Sequence, residues 1–206
     1  MRSKLWLAAT LTLGGASAAQ AQITVTPYAG TMIPMRSLLL DTAGASGFRM
    51  QNQTIFGMQF ARTMSPSVGL ELALGAGSGS MQIFGADVID LKTSVYFADL
   101  RARVRVAGNE DAQLAAVLGA GWTQYTSGLF DAAHEGDPDT QFKGTATGLV
   151  GLALKARLGA HANLSVEAID RIHNQGVEAP GIGDGFTEPM QHDVTIAAGL
   201  SFPIGR

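Results

Sequence analysis

The sequence predicts an all-β protein, an eight-stranded antiparallel up-and-down transmembrane β-barrel. Three observations lead to this prediction. After residue 22, no window offers the roughly 20 consecutive apolar residues that a transmembrane helix needs. Eight segments instead alternate apolar and polar residues with a period of two, which is typical of strands with one apolar face. The connections between these segments are alternately long and short.

The N-terminus has the three regions of a secretory signal peptide. Arg2 and Lys4 come first, the apolar run 5–13 follows, and small residues end in the Ala-x-Ala form that signal peptidase recognises. We therefore expect cleavage between Ala21 and Gln22. A retained anchor or buried helix is the alternative, but the apolar run is too short to span a bilayer.

Composition limits the function of the remaining chain. Residues 22–206 have a formal net charge of −5, against −3 for the full sequence, because residues 1–21 contain two basic and no acidic side chains. This balance argues against a nucleic-acid partner. The sequence has no cysteine, so neither disulfides nor a lipid anchor on an N-terminal cysteine is available. Without a linker-like stretch, we expect residues 22–206 to form one barrel domain.

The number of alternating segments is even, as in single-chain bacterial barrels. In the fourth segment, Tyr96, Leu100 and Val104 share an uncharged face, whereas Arg101 and Arg103 lie on the other. The eight expected strands are 23–34, 51–62, 68–77, 91–106, 112–125, 143–158, 163–172 and 193–204.

The connections distinguish a membrane barrel from a soluble one. Short turns on the periplasmic side and long loops outside are typical of outer-membrane barrels, and this arrangement places both termini in the periplasm. Trp122, Phe60 and Phe202 lie near segment ends on the apolar faces, as residues of an aromatic girdle do. The expected long connections are 35–50, 78–90, 126–142 and 173–192, and the short ones are 63–67, 107–111 and 159–162.

The chain resembles the family of small outer-membrane β-barrels that includes the OmpA transmembrane domain, OmpX and OmpW. Residues 23–34 are similar to the family's first strand, and Gly199, Phe202 and Ile204 are similar to its C-terminal insertion signal. The chain departs from the family by adding residues 205–206 where members commonly finish on an aromatic residue. The resemblance implies location in the cell outer membrane, contact with outer-membrane lipids, and recognition by the barrel insertion machinery during assembly.

Charged residues on the strands are expected to form a network inside the barrel. An eight-stranded barrel is wide enough only for its interior to be filled by side chains, so these charges should pair instead of lining an open pore. A narrow anion-preferring path is the alternative. The expected network consists of Glu71, Arg101, Arg103, Arg105, Lys155, Arg157 and Glu167.

No group of residues predicts a catalytic, cofactor or metal site. The stretch 171–176 resembles the active-site stretch of PagL-type lipid A deacylases, with His173 at the histidine position. Gln175 stands where that family has its serine nucleophile, so the covalent step has no nucleophile. The acidic stretch 131–139 lacks the glycine and glutamate positions of an EF-hand calcium loop.

We therefore expect a non-enzymatic outer-membrane barrel with an envelope-structural role, an adhesion or interaction role, or minor solute passage. The sequence does not identify the ligand of its extracellular loops. A lipid A-modifying, deacylase-like enzyme is one alternative. The other is a soluble periplasmic β-barrel that binds a small apolar ligand, which would place Leu100, Val104 and Leu152 inside and leave the arginines of the fourth segment in water.

Overall fold

Eight long strands make up most of the structure, a computed structural model that describes residues 23–36, 39–41, 47–84, 89–109, 111–127, 141–142, 144–174, 177–178, 186–187 and 190–204. The signal peptide and its cleavage point between Ala21 and Gln22 lie outside these residues and stay predictions. Among the described residues, no helix is long and apolar enough to cross a membrane. The long strands are β1 (Ile23–Pro34), β2 (Gln53–Ser65), β3 (Val68–Phe84), β4 (Ile89–Gly108), β5 (Ala112–Ser127), β6 (Thr145–Arg157), β7 (Asn163–His173) and β8 (Gln191–Ile204).

The strands form one closed antiparallel barrel. Each strand pairs with its neighbours in sequence, and β8 pairs back onto β1, with Ile23 opposite Ile204 and Pro34 opposite Asp193. Closure leaves none of the eight strands as an open sheet edge. The predicted eight-stranded up-and-down barrel is therefore confirmed.

The two ends of the barrel differ in their connections. At the end that we call the turn end, tight turns join β2 to β3, β4 to β5, and β6 to β7. In the β4–β5 turn, Gly108 has a φ of +98°, which favours glycine, and the Asn109 side chain accepts hydrogen bonds from the backbone of Asp111 and Ala112. The opposite, loop end carries the short strands Leu39–Asp41, Gly47–Met50, Gln141–Phe142, Val177–Glu178 and Phe186–Thr187.

The β3–β4 connection is where the structure departs most from the prediction. A long loop is expected at residues 78–90, but both strands continue and pair as far as Ile83 opposite Ile89. The expected alternation of long and short connections is therefore wrong here, since only residues 85–88 separate the two strands. The short strand Gly47–Met50 pairs with the extended part of β3, and this third strand stabilises the extended hairpin.

The outer wall of the barrel is apolar. Leu100, Val104 and Leu152 all point outwards, and Leu100 is 63% exposed. This orientation contradicts the soluble alternative, which needs the same three side chains inside. Other large apolar side chains on the outer face include Phe56, Leu72, Tyr96, Leu118, Trp122, Val150, Ile196 and Phe202.

The inner wall combines large side chains with glycines, because a lumen of this width cannot hold a large side chain at every position. A Cβ atom added to Gly75 would lie 2.2 Å from the Phe97 ring and 2.5 Å from the Tyr28 hydroxyl. Glycine at this position therefore makes room for both aromatic side chains. These two belong to a buried cluster with Met32, Met50, Ile55, Met81, Val95, Tyr125 and Ala197.

We expect Gly75→Ala to lower the free energy of unfolding by about 1–3 kcal/mol, because the added methyl group overpacks the space beside Phe97. Urea titration of the protein folded in detergent micelles measures the effect. Gly148→Ala is the matched control, since a Cβ there meets nothing closer than 3.8 Å, and it should leave stability unchanged. Equal losses in the two variants would contradict this account of the inner wall.

Candidate functional site

Charged side chains from β3, β4 and β7 meet inside the barrel. They occupy inward positions of strands whose side chains alternate between the two faces. Glu71 of β3 is opposite Arg101 of β4 in the sheet, and Glu167 reaches Arg101 from β7. We call the group the lumen ion cluster, and its members are Glu71, Asp99, Arg101, Arg103, Glu167 and Arg171.

Arg101 is the centre of this cluster. Its Nη1 atom lies 3.3 Å from Glu71 Oε1 and 3.0 Å from Glu167 Oε1, and its Nη2 atom lies 2.7 Å from Asp99 Oδ2. Arg103 contacts the other oxygens of the same two glutamates, at 2.7 Å from Glu71 Oε2 and 2.8 Å from Glu167 Oε2. Each glutamate therefore bridges two arginines.

Arg171 extends the cluster towards the loop end. Its guanidinium donates to both oxygens of Asp99, with a distance of 2.9 Å from Nη1 to Oδ1, and its Nε atom donates to the Thr195 hydroxyl at 3.2 Å. The guanidinium also lies 3.9 Å above the centre of the Phe97 ring, within the range of a cation–π contact. Asp99 thus joins Arg101 to Arg171.

The cluster balances its own charge, with three carboxylates and three guanidinium groups. All of its side chains are almost completely buried except Arg103, which is 17% exposed. Charges in such a place are stable only if they are paired and hydrogen-bonded, because removing them from water costs several kcal/mol for each ion. The cluster consequently braces β3, β4 and β7 against one another across the lumen.

A second polar group lies nearer the loop end. The Tyr125 hydroxyl donates to Asp193 Oδ2 at 2.5 Å, and His173 Nε2 lies 2.8 Å from the same oxygen. The Thr145 hydroxyl is 3.4 Å from His173 Nδ1. His173 is the last residue of β7 and is buried in the lumen. The sequence instead predicts that it lies at the start of the connection 173–192. Gln175, at the serine position of the deacylase resemblance, lies outside the described residues, as does the acidic stretch 131–139.

The expected network residues divide into three groups. The structure brings together Glu71, Arg101, Arg103 and Glu167, as described above. Arg105 and Lys155 also face inwards but line a cavity at the turn end. Arg157 departs from the expectation, because it is half exposed at the rim and forms a 3.4 Å ion pair with Asp111 at the surface.

Sequence reasoning missed two members of the cluster, Asp99 and Arg171. Asp99 stands two residues before Arg101 and Arg171 stands four after Glu167, so alternation already places each on the lumen face. A charged residue at an inward position is a candidate for the lumen network, so the sequence could have identified both.

Of the expected insertion signal, Phe202 and Ile204 lie on the outer face and Gly199 faces Tyr28 in the lumen. Recognition by the insertion machinery stays a prediction.

This fold is that of the small eight-stranded outer-membrane barrels. No protein-family model and no curated protein matches the sequence, whereas solved structures match it along most of its length. Neisserial surface protein A is 8% identical, with 89% of this chain and 97% of that chain covered and a TM-score of 0.55. The outer membrane protein AlkL, solved in lipid bilayers, is 12% identical, with 100% and 98% covered and a TM-score of 0.54. A major outer membrane protein of Thermus thermophilus is 12% identical, with 90% and 100% covered and a TM-score of 0.51.

We expect Arg101→Met to lower the free energy of unfolding by about 3–5 kcal/mol, because it leaves buried carboxylates without their shared partner. Arg157→Met removes the same charge from an exposed pair and should cost less than about 1 kcal/mol. Urea titrations of both variants in the same micelles provide the comparison. Similar losses would show that the ion cluster is not a brace of the barrel.

Proposed function

We propose that this chain is a non-enzymatic outer-membrane protein that presents the connections of its loop end to partners outside the cell. The barrel acts as a rigid, closed scaffold for them. The observation that carries the proposal is the lumen ion cluster, whose paired side chains cross the interior, so that the long connections at the loop end, and not an open lumen, are left to make contacts.

The outer wall supports the membrane location. A barrel with an apolar outer face and ion pairs inside has the arrangement that lipid requires, since unpaired charges and open sheet edges are costly in hydrocarbon. Phe60 and Phe202 flank Val25 on neighbouring strands near the turn end. Trp122 and Tyr96 lie on the outer face nearer the loop end, so aromatic side chains occur towards both rims, as in membrane girdles.

The filled lumen favours a scaffold over a channel. Arg101 and Arg171 are no more than 1% exposed, and their ion pairs join β4 to β7 through the interior. A conducting pore needs polar groups that remain open to water. Solute passage along the lumen would therefore require several buried ion pairs to break.

Long connections at one end are suited to recognition, because loops on a rigid scaffold commonly carry binding residues. The residues between β1 and β2, between β5 and β6, and between β7 and β8 form the three longest connections, and they all leave the same end of the barrel. The name of Neisserial surface protein A, one of the similar structures, agrees with this kind of exposure.

An epitope tag tests the proposed orientation. A tag inserted within residues 131–139 should bind antibody on intact cells, because it follows β5 at the loop end. A tag at Asn109 in the β4–β5 turn should bind antibody only after the outer membrane is opened. The untagged protein and a heat-dependent change in gel mobility control for folding of both insertions.

The reverse pattern of antibody binding would contradict the orientation, and recovery of the protein only from soluble fractions would contradict the location. A steady ionic current through the purified protein in a planar bilayer would contradict the closed lumen, and would favour the narrow anion-preferring path.

A further inference from the structure

Two basic side chains in the lumen lie outside the lumen ion cluster. Arg105 of β4 and Lys155 of β6 face inwards at the turn end. The cluster is neutral by itself, so it has no spare carboxylate for them. Within the part of the chain that the structure describes, no acidic side chain forms an ion pair with either residue.

Both side chains line the same cavity of about 120 Å³, which is large enough for several water molecules. Small residues make this space. Ala115 is opposite Arg105 in the sheet, and it is also opposite Ala153, the inward neighbour of Lys155. The cavity reaches the β2–β3 turn, where Ser65, Pro66 and Ser67 line it, and it is therefore at the turn end.

The chemistry of the lining favours an anion. Arg103, the most exposed member of the ion cluster, adds a third cation, and the exposed Arg62 adds a fourth. Thr24, Gln113 and Ser201 add neutral hydrogen-bond donors. Glu71 also lines the cavity, but Arg101 and Arg103 bind its two oxygens and neutralise it. An oxyanion here would meet charged donors, whose hydrogen bonds to an anion are shorter and stronger than those between neutral groups.

We propose that this turn-end cavity binds a phosphate-type oxyanion, held by Arg105 and Lys155. The ion cluster closes the inner side of the cavity, so the site is a dead end and not part of a conducting path. The phosphate can come from inorganic phosphate or from the headgroup of a phospholipid at the barrel rim. The site does not depend on the proposed presentation of loops, because it lies at the other end of the barrel.

The experiment is a calorimetric titration of the protein, lacking residues 1–21 and folded in uncharged dodecyl maltoside micelles, with inorganic phosphate at low ionic strength. We expect saturable binding that Arg105→Met and Lys155→Met each weaken by about tenfold or more, because each removes a charged donor. Arg157→Met is the matched control: it removes one positive charge from the same end of the barrel, outside the cavity, and should keep the affinity of the unaltered protein.

A second titration with short-chain phosphatidylglycerol distinguishes the sources of the phosphate. Saturable binding of this lipid but not of inorganic phosphate, with the same dependence on Arg105 and Lys155, supports the site and assigns it to a lipid headgroup. The absence of saturable binding for both probes would overturn the proposal, as would an equal loss of affinity in Arg157→Met.

Nuclear magnetic resonance of the unaltered protein keeps the test valid if the cavity variants fail to fold. Phosphate should shift the backbone amide signals of Gly69 and Ala115 at the cavity and leave Met32, near the loop end, unchanged. Shifts spread evenly over both ends of the barrel would overturn the proposal.

Discussion

The pairing of β1 with β8 is the interaction on which the rest of the structure depends. It runs from Ile23 opposite Ile204 to Pro34 opposite Asp193 and turns an eight-stranded sheet into a closed barrel. Closure satisfies the backbone hydrogen bonds of both edge strands, which is the condition for a sheet to lie in lipid. It also fixes a lumen so narrow that side chains alone can fill it.

The fixed width explains how the interior is composed. Large inward side chains stand beside glycines, as Arg101 does beside Gly119 and Asp99 beside Gly121. A Cβ atom on Gly121 would lie 2.3 Å from Asp99 Oδ1, so the Asp99 carboxylate has room only because the residue opposite it is a glycine. Charges in this space must pair with one another, and the lumen ion cluster does so with no net charge. Arg105 and Lys155, beside the turn-end cavity, lie outside this cluster, as does Asp193, which contacts Tyr125 and His173 nearer the loop end.

Local patterns predicted the fold, whereas contacts across the lumen required the structure. A period of two is visible in any single strand, so the number of strands and the faces of Leu100 and Arg101 followed from the sequence. Alternation assigns a residue to the inner or the outer face, but it does not give the position along the barrel axis or the residue at which a strand ends. The rim position of Arg157 and the length of the β3–β4 hairpin therefore could not be predicted from the sequence. Contacts such as Asp99 with Arg171 join residues 72 positions apart, and their geometry depends on the register of several strands.

Fluorescence of Trp122 tests most directly whether the apolar outer wall lies in lipid and the charges lie inside. Trp6 falls in the expected signal peptide, so Trp122 is the one tryptophan of residues 22–206, and it is 44% exposed on the outer wall. The account predicts that vesicle lipids with brominated acyl chains quench its emission strongly, whereas iodide in the water does not. Quenching by iodide with no effect of the brominated lipids would contradict a barrel that spans the membrane.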